Sequence, residues 1–320
     1  MEVNLYTKLL EYPNVVGAGL GYKYTNNEFT GKTALVVMVS QKKPVFALSK
    51  DEMIPREFSS FVTDVLEVGD IRALPTGKWR PAPPGVSIGH YKISAGTLGA
   101  IVKDKETGEK FILSNNHVMA NSNDAEIGDA ILQPGPADGG NMDNQIASLH
   151  KFIPITFDGI PSCPFASGTS NVLNWIAERL GSSHRLQAIQ IMQEGNLVDC
   201  ALASPLNYDL ITEEILGIGP VNGTILASLG MPVTKSGRTT GVTKGTIQVI
   251  AATVMVGYGS KTAKFEDQII TDFMSKGGDS GSLLLDSDTH KAVGLLFAGS
   301  DQVTIYNPIQ HVMDKLDIIF

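Results

Sequence analysis

What most constrains this chain is its rhythm from residue 86 onward, where short apolar runs are each cut off by turn residues. Candidate strands lie at 97–102, 110–114, 145–152, 198–203, 233–235, 242–256, 265–271, 282–285, 292–297 and 303–306. Runs of this length bounded by Gly, Pro, Asn and Asp read as strands, and many gaps suit antiparallel hairpins. The 33 glycines and 16 prolines fit such a chain better than a helical bundle. Two stretches depart from the rhythm. Ser170 can cap a helix through Leu180, with Val172, Leu173 and Ile176 on its apolar face and Gly181 as its stop. At the C-terminus Ile309, Val312, Met313, Leu316 and Phe320 recur at helical spacing.

Residues 1–75 read as a small α+β module. A short helix carrying Leu5, Leu9 and Leu10 must stop before Pro13. An extended stretch at 15–24, a turn at Asn26–Asn27 and a buried strand at 34–39 come next. Ser49 and Glu52 fit a capping box for a short helix, and 62–68 reads as another strand. The Pro-rich segment 76–85 (TGKWRPAPPG) is the expected linker. The module could regulate the larger, strand-rich part of the chain or merely stabilise it.

Composition narrows function. Lys+Arg number 25 against Asp+Glu 33, a net charge of -8, which argues against nucleic acid as a partner. No apolar run reaches membrane-spanning length, so no membrane association is expected. The opening MEVNLYTKLLEYPNVVG has no basic region, apolar core or cleavage site of a secretory signal. The two cysteines, Cys163 and Cys200, are expected as buried free thiols, with a single bridge the alternative. A reducing, cytoplasmic setting is the expectation. No histidine pair has metal-site spacing.

Three segments carry chemistry. Gly277–Ser282 reads GGDSGS: glycines around Ser280 permit a tight turn that could aim two amides at one point, as an oxyanion requires. A plain β-turn is the alternative. Phe111–Val118 feeds an apolar strand into His117, which could take a serine proton as general base or simply cap structure. Asn196–Ala203 places Asp199 in an apolar strand, where a carboxylate is costly to bury unless paired, for instance with an imidazole N–H. A strand-edge aspartate facing water is the alternative.

In the order His, Asp, Ser, the segments SNNHV, NLVDCALA and GGDSGS resemble the chymotrypsin/trypsin superfamily of serine peptidases. The segments 235–247 (KSGRTTGVTKGTI) and 131–140 (ILQPGPADGG) resemble uncharacterised bacterial trypsin-like peptidases and the plant narrow-leaf type. The resemblance spans 86–320. It implies an all-β fold of two antiparallel six-stranded β-barrels with a C-terminal helix, from which a long, helix-bearing insert at about 153–197, able to shape or cover the cleft, is a departure. It also implies a serine endopeptidase acting on protein or peptide through an acyl-enzyme, with no metal and no cofactor. His117 would be the base, Asp199 its orienter and Ser280 the nucleophile, with the Gly278 and Ser280 N–H groups as oxyanion hole. Phe297, Ala298 and Gly299 would run beside the substrate.

The departures from that family matter too. Phe297 stands where secreted relatives carry a serine that supports the aspartate. Those relatives pair the aspartate before the nucleophile, here Asp279, with a cleaved N-terminus; Gly85–Gly89 (GVSIG) only faintly echoes such a start. Counting back from Ser280 puts the pocket base at Met274 with Ser275 beside it. No carboxylate lies there, so cleavage after apolar or medium-sized residues is expected, not after Arg or Lys. The alternatives are an inactive pseudopeptidase that binds partners and an esterase using the same three residues.

Overall fold

The computed structural model describes residues 3–25, 28–69, 75–158, 164–186 and 195–320. The chain divides into two compact units, Met1–Ala73 and Leu74–Phe320. In the first, helix α1 (Val3–Leu9) precedes β1 (Val15–Thr25) and β2 (Glu28–Val39); β3 (Glu57–Phe58) and β4 (Phe61–Glu67) complete a sheet ordered β1-β2-β4-β3. β2 and β4 run parallel. The inward residues Leu35 and Val37 of β2 bury with Leu9 of α1. The Ser49 N–H donates to Glu52 Oε2 at 3.0 Å, as the capping box predicts. It starts one 3-10 turn (Lys50–Glu52) and not a helix, because the chain turns extended at Met53 ahead of Pro55. The turn expected at Asn26–Asn27 lies outside the described residues.

The second unit opens with β5 (Ser87–His90), β6 (Gly96–Thr97), β7 (Ala100–Asp104), β8 (Lys110–Ser114), the short helix α2 (Asn116–Met119), β9 (Ala130–Leu132) and β10 (Gln145–Phe152). Helix α3 (Pro164–Arg179) and β11 (Ala201–Pro205) come after these. β6 and β7 are one bent strand. Leu98 N–H bonds to Val86 O beside β5, and the next N–H, of Gly99, bonds to Leu113 O of β8. β5 and β8 end the antiparallel series β5-β9-β10-β11-β8, so the bent strand joins its two ends into a six-stranded barrel. The second barrel closes directly. It contains β12 (Pro232–Gly237), β13 (Gly241–Tyr258), β14 (Lys261–Asp272), β15 (Leu283–Asp286), β16 (Ala292–Gly299) and β17 (Val303–Pro308), ordered β12-β13-β14-β17-β16-β15.

Each barrel has its own core: Ile88, Leu98, Ile112 and Ile131 in the first, Val233, Ile247, Leu284 and Tyr306 in the second. The terminal helix α4 (Ile309–Leu316) lays Ile309, Val312 and Leu316 among Leu113, Leu283 and Leu295, which come from both barrels. Burying three such side chains stabilises the pair of barrels by roughly 1.5–3 kcal/mol each. The helix stops where Asp317 turns left-handed, so Phe320 is not on it; β18 (Ile318–Ile319) instead pairs with β7.

Three expectations are corrected. Residues 76–85 are not a free linker: Trp79 N–H and Arg80 Nη1 donate to Gln133 Oε1, at 2.8 and 2.6 Å, and Ala82 N–H donates to Leu210 O. Ala82 to Gly85 are buried, because proline-fixed extended chain lies flat on the barrel. The insert helix begins at Pro164, so Ser170 lies inside it and does not cap it. β5 and β9 carry no strong strand pattern, yet both are wholly buried. Cys200 is a buried free thiol, whose pKa burial raises well above the ordinary range; Cys163 lies outside the described residues.

Candidate active site

Strand pairing brings the first two chemical segments together. β11 pairs with β8, with Ala201 opposite Ser114. The residue two before Ala201 and the residue three after Ser114 therefore meet at the barrel rim. His117 Nδ1 lies 2.6 Å from Asp199 Oδ2, and the His117 backbone N–H donates to Asp199 Oδ1 at 3.2 Å. Asp199 is fully buried. Its backbone is clamped as well: Asp199 N–H donates to Asn307 Oδ1 at 3.0 Å, and Asn115 Nδ2 donates to Asp199 O at 2.7 Å. Asn307 in turn donates to Gln268 Oε1 at 2.8 Å. A residue the sequence did not flag completes the carboxylate's partners: Tyr258 Oη donates to Asp199 Oδ2 at 2.9 Å.

The loop 277–282 is held by its carbonyls. Gly277 O accepts from Thr239 Oγ1 at 2.7 Å, and Gly278 O from Thr97 Oγ1 at 2.9 Å. Asp279 O accepts from Ser282 Oγ at 2.6 Å, and Ser280 O from Thr97 N–H at 2.8 Å. A trans peptide points its N–H opposite its C=O. Tying down the carbonyls of Gly277 and Asp279 thus turns the next N–H groups, of Gly278 and Ser280, the other way. Neither of these two has an acceptor among the described residues, whereas the N–H groups of Asp279, Gly281 and Ser282 each have one. The turn demands glycine at two places. Gly278 has φ 98° and a Cβ would sit 2.3 Å from Arg238 Nη1; Gly281 has φ 96° and a Cβ would sit 2.2 Å from Ser114 Oγ.

Asp279 is buried beneath this loop and meets the Lys235 ammonium at 3.2 Å; neither side chain is exposed. The carboxylate also accepts from the N–H groups of Thr239, Thr240 and Lys276 and from Thr240 Oγ1. Burial lowers the Lys235 pKa, and the Asp279 charge opposes that shift. An internal ammonium therefore fills the place where the resemblance supplies a cleaved N-terminus. Beside it, Arg238 makes a two-pronged ion pair with Asp138, Nε to Oδ2 and Nη2 to Oδ1, both at 2.6 Å. These two residues come from the segments 235–247 and 131–140, which had no assigned role.

Ser280 lines a cavity of about 420 Å³ with Ser275, Leu296, Ala298 and Gly299. His117 lines an adjoining one of about 390 Å³ with Tyr258, Phe297, Ala298 and Gly299. The Ser280 hydroxyl makes no hydrogen bond to His117 in this structure. Met274 is not the pocket base. It does not line the Ser280 cavity: it is buried in the second barrel's core, where its sulfur accepts from Tyr306 Oη at 3.6 Å, in the segment just past the end of β14. Ser275 faces the cavity and shares a hydrogen bond with Thr304 Oγ1 at 3.0 Å. Phe297 packs against Phe265, ring centroids 4.6 Å apart.

No family model and no curated protein matches the sequence. Solved structures similar to this chain include Nocardiopsis protease (NAPase), at TM-score 0.48 and 16% identity over 74% of this chain and 98% of that one. Cellulomonas bogoriensis chymotrypsin gives 0.45 and 16% over 75% and 97%. Thermobifida fusca protease A gives 0.46 and 16% over 74% and 98%. At these identities and TM-scores the likeness carries no inference about function.

Proposed function

We propose that the chain is a serine endopeptidase working through an acyl-enzyme. The observation that carries the reading is the pair of unengaged N–H groups, Gly278 and Ser280, flanking the Ser280 hydroxyl in a loop whose Gly277, Gly278, Asp279 and Ser280 carbonyls are tied down. Donors fixed before reaction stabilise an oxyanion without reorganisation. Ser280 Oγ would attack the scissile carbonyl carbon and pass its proton to His117 Nε2. That proton would reach the leaving amine as the C–N bond breaks, and water would repeat the sequence to free the acid. Asp199 would hold the tautomer that keeps Nε2 free to accept. The Ser280–His117 hydrogen bond is left to form with substrate in place, where such bonds tighten.

The cavity beside Ser280 carries the Ser275 and Ser300 hydroxyls, with Phe273, Leu296 and Ala298 as its apolar lining and Lys276 and Asp301 as its charged lining. Cleavage after apolar or medium-sized residues fits the Phe273, Leu296 and Ala298 part of that lining. An esterase would use the same parts. A serine-reactive phosphonate should label the chain at Ser280, and Ser280→Ala should lose the label with its circular dichroism unchanged. A panel of matched peptides and esters then separates peptidase from esterase. Labelling that survives Ser280→Ala would sink the reading, as would a folded chain that neither labels nor turns over any substrate, the behaviour of a pseudopeptidase. Fast turnover after Arg or Lys with none after Leu or Phe would overturn the pocket reading alone.

A further inference from the structure

Asp199 accepts three side-chain or backbone hydrogen bonds at its carboxylate, and two come from His117 itself. A carboxylate bonded only to the imidazole it is meant to orient could swing with it. Asn307 and Asn115 hold the backbone of Asp199 and the His117 backbone N–H holds Oδ1 at 3.2 Å, which leaves Oδ2 to the imidazole and one further donor. Among the described residues no Lys or Arg pairs with it. Among the described residues the one donor to this carboxylate independent of His117 is the Tyr258 hydroxyl, 2.9 Å from Oδ2, the same oxygen that faces His117 Nδ1.

Tyr258 is itself fixed. It is the last residue of β13, paired with Lys261 across the two-residue turn Gly259–Ser260. Its ring packs edge-on against Phe157 at 5.5 Å and against His117 at 5.8 Å, with Phe265 at 6.3 Å. Burial, then the nearby Asp199 charge, push the phenol pKa far above its ordinary range, so the hydroxyl keeps its proton to donate. The same ring lines the cavity that His117 borders.

We propose that Tyr258 is a positioning residue: its hydroxyl fixes the carboxylate of Asp199, and through it the imidazole of His117, from the tip of the β13–β14 hairpin. The kinetic side of this rests on the peptidase reading. Hydrogen bonds to a charged group are among the stronger ones, so losing this one should slow a step that depends on it by about tenfold or more.

The test is Tyr258→Phe in the full chain, which keeps the ring and removes one oxygen. Three quantities are read: kcat and KM on the best peptide substrate, and the low-field proton NMR signal of His117 Nδ1–H. The expected result is a kcat lower by about tenfold, KM within about twofold, and a displaced Nδ1–H signal, because Oδ2 no longer shares itself with a second donor. Phosphonate labelling of Ser280 should persist at a lower rate. An unchanged kcat with an unmoved signal overturns the proposal. So does a fall in kcat matched by a rise in KM and an earlier melting point, which would mark a packing residue. If the wild-type chain neither labels nor cleaves, the peptidase reading fails and the NMR signal alone decides the role of Tyr258.

Discussion

Asp199 and Asp279 are both fully buried carboxylates, eighty residues apart in sequence, yet they are partnered in opposite ways. Asp279 meets an ammonium, three backbone N–H groups and a hydroxyl. Its charge is neutralised inside the protein, and the loop above it is thereby fixed. Among the described residues Asp199 meets no fixed cation. Its partners are a histidine, which can become charged, and a tyrosine, which stays neutral. On the proposed mechanism the Asp199 carboxylate would steady the charge that the His117 imidazole takes up as general base. On that mechanism Asp279 fixes the loop that would present the oxyanion donors, and Asp199 stands beside the imidazole that would take up the proton.

Neutralising each carboxylate in turn should separate the two roles. Asp199→Asn should lower kcat by about 10⁴-fold by favouring the wrong imidazole tautomer, the size of loss known for such a change in a serine protease triad. Its melting point should move little, because the buried charge disappears with its need for partners. Kinetics and thermal melts on one sample check both. A small kinetic loss would mean that Asp199 does not orient His117.

Lys235→Met should do the reverse. It leaves the Asp279 carboxylate buried without its ammonium, at a cost of about 3–5 kcal/mol in stability. Denaturant melts read that loss. Adding Asp279→Asn should recover part of it, because no charge then remains to be compensated. A Lys235→Met chain as stable as wild type would mean that the turn's N–H groups alone satisfy Asp279.

A smaller effect is expected at the strut beside the loop. Burial alone would raise the pKa of Asp138, but its hydrogen bonds to Arg238 and Ser87 outweigh that and hold it below the ordinary value of 3.8. A depressed folded-state pKa means that the stabilisation is complete above about pH 5 and lost as pH falls through the folded-state value. Asp138→Asn should therefore cost about 1.5–3 kcal/mol at neutral pH. That gap should close on acidification below about pH 4. A gap that stays constant from pH 7 to pH 3 would show that the Asp138 charge contributes nothing.

Much of this contrast was legible in sequence. Asp199 stood out as a lone acid in an apolar strand, and the same reasoning applied to Lys235 in VTKSG would have pointed to a buried ammonium seeking a carboxylate. Gly278 and Gly281 could be read as backbone requirements of GGDSGS. The segments 131–140 and 235–247 carried family likeness without a role, because the Asp138–Arg238 pair depends on how two barrels meet. Tyr258 was not legible at all. Its reach to Asp199 is set by the length of the β13–β14 hairpin, and nothing local distinguishes it from the other aromatics. Met274 was misplaced because counting residues back from Ser280 ignores which way a side chain faces; one position decides between core and cavity. The barrels were legible as a rhythm of strands, but the closure of the first through the bend at Gly99 is a matter of pairing, which no single segment reveals.

On this mechanism the loop fixed by Asp279 presents Gly278 and Ser280 N–H to a charge that forms through chemistry driven by His117 and Asp199. A crystal structure of the phosphonate adduct would put both halves of that statement in one view. Phosphorus should be bonded to Ser280 Oγ, with a phosphoryl oxygen about 2.7–3.1 Å from both N–H groups. His117 should still be hydrogen-bonded to Asp199, and Asp279 to Lys235. An adduct whose phosphoryl oxygen points away from both N–H groups, or one formed on any residue other than Ser280, would contradict the mechanism.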